Sequence, residues 1–133
     1  REVTFGESRL DLLLKGSGGR CYLEAKSVTL VADGAALFPD APTAREAKHV
    51  RSLAQAVAAG YRAAVMFVVQ RDDAQAFAPH DMADPEFGMA LREGMASGVE
   101  VFAYGCRVTE KSITLGPELP IRLGPLDPRD AGR

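Results

Sequence analysis

Leu10-Asp11-Leu12-Leu13-Leu14-Lys15-Gly16-Ser17-Gly18-Gly19-Arg20-Cys21-Tyr22-Leu23-Glu24-Ala25-Lys26 is a pair of apolar β runs on either side of a glycine-rich break, the signature of a β-hairpin. The second run continues through Val31. Each strand spends a core-like position on a carboxylate, Asp11 in the first and Glu24 in the second, and such charges are rarely buried without a partner. A turn on Ser17-Gly18 pairs residues whose numbers sum to 35, which sets Asp11 directly across from Glu24. Like charges would then face each other across about 5 Å. That is unfavourable unless one is protonated or a cation lies between them, and a hard divalent ion with oxygen ligands, Mg²⁺ or Mn²⁺, is the natural neutraliser. Lys26 is two residues beyond Glu24 and so shares its face. Its ammonium would stabilise charge developing on a phosphate and position an attacking water. A turn displaced by one residue would put the two acids on opposite faces, and Glu-x-Lys also occurs as a solvated surface pair.

Working outward, Ala35 to Phe38 has the character of a short extension or edge strand, and Pro39-Asp40-Ala41-Pro42 is a loop. Thr43 with Glu46 three residues on forms a capping box, and Gly60 closes the helix that it opens, over about residues 44 to 59. Ala47, Val50, Leu53, Ala54, Val57 and Ala58 make one apolar stripe; Arg45, Lys48, His49 and Ser52 share a different face, open to a ligand. Arg62 to Val69 is an apolar run of the kind found in a strand covered on both sides. Asp84 as N-cap, Pro85 at the first helical position and Gly98 as C-cap delimit a second helix, with Phe87, Ala90, Leu91 and Met95 turned inward. Glu100 to Val108 and Ser112 to Leu115 follow as paired strands. The order predicts an α/β fold, a mixed central β-sheet flanked by helices. Residues 1–123 are expected to form one domain and 124–133 a flexible tail. The abrupt β-like start at Glu2-Val3-Thr4-Phe5 suggests an excised fragment.

With 133 residues the chain can bury a full core, and 47% hydrophobic with 26% charged residues is ordinary for a globular protein. A net charge of −2 argues against a broad basic face that holds nucleic acid by charge alone, leaving a local basic cleft or a metal to supply the positive charge. No apolar run has the roughly 20 residues of a membrane span and Arg1 opens no signal-like segment, so the expected compartment is the cytoplasm. Cys21 and Cys106 lack metal-ligand or redox spacing and read as buried free thiols. Gln70, ending a buried strand, is a candidate for orienting water or touching a phosphate, against the plainer reading of a solvent-facing strand end. Arg45, Lys48 and His49 are candidates for a nucleic-acid backbone, against an ordinary solvated helix face. His80 has no ligand-spaced partner and reads as solvated.

Ser8-Arg9-Leu10-Asp11, Glu24-Ala25-Lys26-Ser27-Val28-Thr29-Leu30, Phe38-Pro39-Asp40-Ala41, Lys48-His49 and Phe67-Val68-Val69-Gln70-Arg71 together resemble the sugar fermentation stimulation protein family, SfsA, from about Arg1 to Leu123. The resemblance implies a restriction-endonuclease-like domain of the PD-(D/E)xK type, preceded in the full protein by an oligonucleotide-binding-like barrel. Asp11, Glu24 and Lys26 match the nuclease signature as catalytic residues, and Asp11, Glu24 and the Ala25 carbonyl are the implied metal ligands. Ser8, Arg9, Thr43, Arg45, Lys48, His49 and Gln70 match other family words and rank second as site residues. Two positions depart from the pattern: Glu46 stands where the family's helix motif usually has glycine, and Ala25 where valine is commoner. The implied partner is DNA, with RNA as the alternative, and the competing function is a non-catalytic DNA-binding regulator of sugar-metabolism genes. Family likeness alone does not establish catalysis.

Overall fold

The computed structural model describes residues 3–5, 8–10, 12–16 and 19–124, with side chains from position 21 onward. Asp11, Ser17 and Gly18, the side chain of Arg9 and the expected tail over 125–133 lie outside the described residues. β1 (Val3–Phe5) and β2 (Ser8–Leu10) pair antiparallel. β3 (Leu12–Gly16) and β4 (Gly19–Val28) form the expected hairpin, with Leu12 opposite Leu23, Leu14 opposite Cys21 and Gly16 opposite Gly19. Residue numbers sum to 35 at every described pair, as a turn on positions 17 and 18 requires.

The run from Arg20 to Val31 is not one strand. β4 ends at Val28, and β5 (Leu30–Ala32) belongs to another sheet. An Asp33-Gly34 turn with both residues at positive φ, 52° and 79°, returns the chain as β6 (Ala35–Phe38), since a two-residue hairpin of this hand favours Asp-Gly. β6 is no edge: it lies between β5 and a parallel strand, β8 (Ala76–Pro79), which is too short and too weakly alternating to be read from sequence.

α1 (Ala44–Ala58) and α2 (Pro85–Ser97) keep the expected limits. β7 (Arg62–Val69) lies in the middle of a five-stranded mixed sheet, parallel to β4 on one side and to β9 (Glu100–Val108) on the other; β10 (Ile113–Glu118) closes the sheet antiparallel to β9. Arg62 at the start of β7 makes a two-pronged pair with Glu100 at the start of β9, at 3.0 and 2.9 Å, and holds that carboxyl below its ordinary pKa. Among the described residues no helix is long and apolar enough to cross a membrane.

Alternation along β7 sends Val65, Phe67 and Val69 to one face, where they are buried with Val50, Leu53 and Ala56 of α1 and Phe87, Ala90 and Leu91 of α2. Phe67 stacks on Phe77 of β8, with ring centroids 4.1 Å apart, and meets Phe87 edge-on, so both helices and the smaller sheet cover the same face. The opposite face carries Ala64, 4% exposed, with Met66, Val68, Phe102 and Tyr104 half-buried. Cys106 is buried as expected; Cys21 is half-buried, and burial is the largest influence raising its thiol pKa. At the chain's end Arg92 binds Asp81 with two prongs and donates to the carbonyls of Leu123 and Gly124, so ordered contacts reach into the expected tail.

Asp84 ties the two helix starts together. Its Oδ1 accepts from Phe87 N at 3.1 Å and its Oδ2 from Thr43 N at 3.2 Å, with the residue 4% exposed. Asp84→Ala would leave both N–H groups short of their acceptor, and we expect it to lower unfolding free energy by about 2–3 kcal/mol. A shift in the urea midpoint measures this; a loss under about 0.5 kcal/mol would show that water replaces the carboxylate.

Candidate functional site

Strand alternation places Glu24 and Lys26 on the same side of β4, beside Val65 and Phe67 of β7, and therefore under α1. Glu24 is 2% exposed and the Lys26 side chain 12%. A lysine this deep must keep its charge satisfied by close partners. Its Nζ lies 3.4 Å from Glu24 Oε2, 2.8 Å from Glu46 Oε1 and 2.5 Å from His49 Nδ1. The contact with Glu46 is an ion pair whose angles fall outside those of a hydrogen bond. For the ammonium to donate to His49, Nδ1 must be the ring nitrogen without a proton.

Glu46 and His49 stand one turn apart at the start of α1, and that start is fixed by Thr43, whose Oγ1 accepts from Arg45 N at 3.2 Å. Thr43 is the N-cap that the sequence suggests. Glu46 does not complete the box: its carboxylate goes to Lys26, 2.8 Å away. The Thr43 N–H that the box would use already donates to Asp84 Oδ2, and the Glu46 carboxylate is left to the ammonium beneath the first turn.

The open cationic face expected of α1 is also revised. Arg45 and Lys48 are exposed, but His49 and Ser52 are buried, at 8% and 3% exposure. The buried stripe runs through Ala47, His49, Val50, Ser52, Leu53 and Ala56, while Ala58 is exposed. Lys48, Arg51, Ser52, Gln55 and Ala44 line a groove of about 330 Å³ on the outer side of the helix. Arg51 there pairs with Glu86 at 2.7 Å.

Gln70 is not gathered into the cluster. It is exposed, and its Nε2 donates to Ser27 Oγ at 3.1 Å. Ala25 alternates to the exposed face, leaving its carbonyl as the only group it could offer an ion. His80 is half-buried rather than solvated, with Nδ1 2.9 Å from the Pro39 carbonyl oxygen. Among the described residues no three His, Cys, Asp or Glu side chains group closely enough to hold a metal ion. Glu46 and the inward turn of His49 are what sequence reasoning missed. A signal existed: positions 46, 49, 53 and 56 share one helical stripe, and the last two are fully buried.

Residues 1–112 match the family model described as the sugar fermentation stimulation protein RE domain. A sugar fermentation stimulation protein homolog from Desulforamulus reducens is 48% identical over 123 residues, which cover 92% of this chain and 52% of that protein. Its counterpart from Symbiobacterium thermophilum is 54% identical over 128 residues, covering 92% and 51%. Among solved structures, that of Pyrococcus furiosus SfsA in complex with Ca²⁺ superposes with a TM-score of 0.87 at 32% identity, over 92% of this chain and 53% of the other. The chain thus spans about half the length of these relatives. The match over residues 1–112, with the mixed sheet and paired helices it predicts, shows that the chain belongs to the sugar fermentation stimulation protein family, whose restriction-endonuclease-like domain it carries.

Proposed function

We propose that this domain is a divalent-metal-dependent nuclease that hydrolyses phosphodiester bonds, with DNA the first substrate to test and RNA the alternative. The observation that carries the reading is the placement of Glu24 and Lys26 side by side beneath α1, the ammonium 3.4 Å from the carboxylate. A carboxylate this deep beside a strand backbone suits a hard cation with oxygen ligands. Glu24 would hold the ion with the Ala25 carbonyl. Asp11 lies outside the described residues and is assigned as the second carboxylate from the sequence reading of the hairpin, whose register the described pairs from Leu12 to Gly16 keep. The Pyrococcus furiosus relative was solved with Ca²⁺, also a hard cation, and Mg²⁺ or Mn²⁺ are the ions proposed to support reaction here.

Bound there, the ion supplies Lewis acidity toward a phosphoryl oxygen. Lys26 donates toward the same phosphate and stabilises the charge that builds on it. Arg45 and Lys48, exposed on α1, are proposed to hold the flanking backbone together with Arg9; Gln70 and His49 serve as lesser contacts. An oligonucleotide-binding-like barrel in the rest of the full-length protein would extend that grip. Calorimetric titration with Mn²⁺ tests the ion site: wild type should show a saturable site and Glu24→Ala none. Heat curves that coincide for the two proteins would defeat the assignment.

A second reading, a DNA-binding regulator without turnover, is favoured by the engagement of Lys26 with Glu46 at 2.8 Å. It predicts ion-independent binding that weakens in Arg45→Ala and Lys48→Ala. Binding indifferent to both changes would count against it.

A further inference from the structure

Lys26 has more partners than a phosphate-facing lysine needs. Among the described residues its Nζ is nearest to His49 Nδ1, at 2.5 Å, then Glu46 Oε1, at 2.8 Å, and only then Glu24 Oε2, at 3.4 Å. Both nearer groups come from α1. Glu46 has no task at the helix end, where the Thr43 side chain accepts from Arg45 N and Asp84 takes the Thr43 N–H; its side chain is 14% exposed and, among the described residues, its ion partner is Lys26. One of the three N–H donors of the ammonium goes to His49 Nδ1 and two carboxylates stand beside it as ion partners, so an incoming anion competes with Glu46 for its charge. A phosphodiester reaching Lys26 must also approach the negative charge of Glu46, and like charges in partly buried surroundings repel strongly.

We infer that Glu46 is a positioning residue that anchors Lys26 to the first turn of α1 and so opposes its engagement of a phosphodiester, an inference that rests on the nuclease reading. Its side chain acts through the lysine and touches no substrate. Releasing the ammonium should therefore strengthen substrate binding and add one cation to the set that neutralises the nucleic-acid backbone.

The test compares wild type, Glu46→Gln and the double variant Glu46→Gln with Lys26→Ala. Glutamine keeps the chain length and suits a helix, and far-UV circular dichroism verifies the fold. KM for a labelled 12-nucleotide DNA strand with Mn²⁺ is expected to fall about 10-fold in Glu46→Gln, and the slope of log affinity against log salt to steepen by roughly one ion. Both gains should vanish in the double variant. A purely structural role for Glu46 would leave the salt slope alone. Separately, brief acetic anhydride treatment read by peptide mass spectrometry reports how tightly the amine is held, with exposed Lys48 as internal reference. Lys26 acetylation should rise several-fold relative to Lys48 in Glu46→Gln. Equal acetylation of Lys26 in wild type and variant overturns the inference, as does raised acetylation with unchanged KM and salt slope. Absence of cleavage by every protein defeats the nuclease reading instead, and the acetylation ratio still decides whether Glu46 holds the lysine.

Discussion

Lys26→Ala is expected to slow phosphodiester cleavage about 10²–10³-fold, the usual cost of removing one donor aimed at developing charge. The ammonium is the cation set beside Glu24, and its 12% exposure means that water cannot easily take its place. Ion uptake should stay close to wild type, because an ammonium is not a ligand. Glu24→Ala should instead remove uptake and cleavage together. Lys48→Ala, on the exposed side of the same helix, should weaken binding and flatten its salt dependence with kcat little changed. The three proteins thus separate turnover, ion binding and backbone contact. Digestion of single- and double-stranded DNA and RNA, followed over time with Mn²⁺ or Mg²⁺, measures all three. Cleavage by Lys26→Ala at the wild-type rate would remove the lysine from the mechanism and leave the pair without a catalytic role.

The hairpin was legible because its break is rich in glycine and lies between two apolar runs, so a turn centred on that break brings them together. Both helices were legible for local reasons too: Thr43, Asp84, Pro85 and Gly98 act on backbone groups within a turn of themselves. What failed was non-local. The split of the second strand at Thr29 depends on β6 pairing with Leu30–Ala32 in a separate sheet; Asp33-Gly34 marks that hairpin locally, but no short-range pattern parts it from β4. The destination of Glu46 failed for a related reason. A carboxylate three residues after a threonine cap reads as its capping partner, but the Thr43 N–H is taken by Asp84 from the start of α2, and Lys26 arrives from β4, 20 positions earlier in the chain. His49 turns inward because Lys26 of β4 lies beneath it. Glu24 and Lys26 lie beside Val65 and Phe67 in the parallel register, so one face of β4 is charged where its neighbour is apolar. The site is therefore built into the core's edge, and its charges are backed by the packing that holds the domain together.

That backing leads to the largest expected effect on stability, Phe67→Ala, at about 3–5 kcal/mol. Phe67 is fully buried, stacked on Phe77 at 4.1 Å, 5.4 Å from Phe38 and 6.2 Å from Phe87, so its ring joins β7, both strands of the parallel pair in the smaller sheet, and α2. Those elements meet at this ring, and removing it leaves a cavity that they cannot all collapse to fill. A domain of this size has only about 5–15 kcal/mol in total, so the variant should melt roughly 10–20 °C lower. Phe67→Leu retains much of the volume and should lose less than half as much. Because Phe67 is the register partner of Lys26, the alanine variant should also loosen the strand that carries the lysine, raising acetylation of Lys26 at temperatures well below the melt. Thermal denaturation followed by circular dichroism gives the first quantity and peptide mass spectrometry the second. A melting point within 3 °C of wild type would mean that the smaller sheet is not fastened to the larger one through this ring.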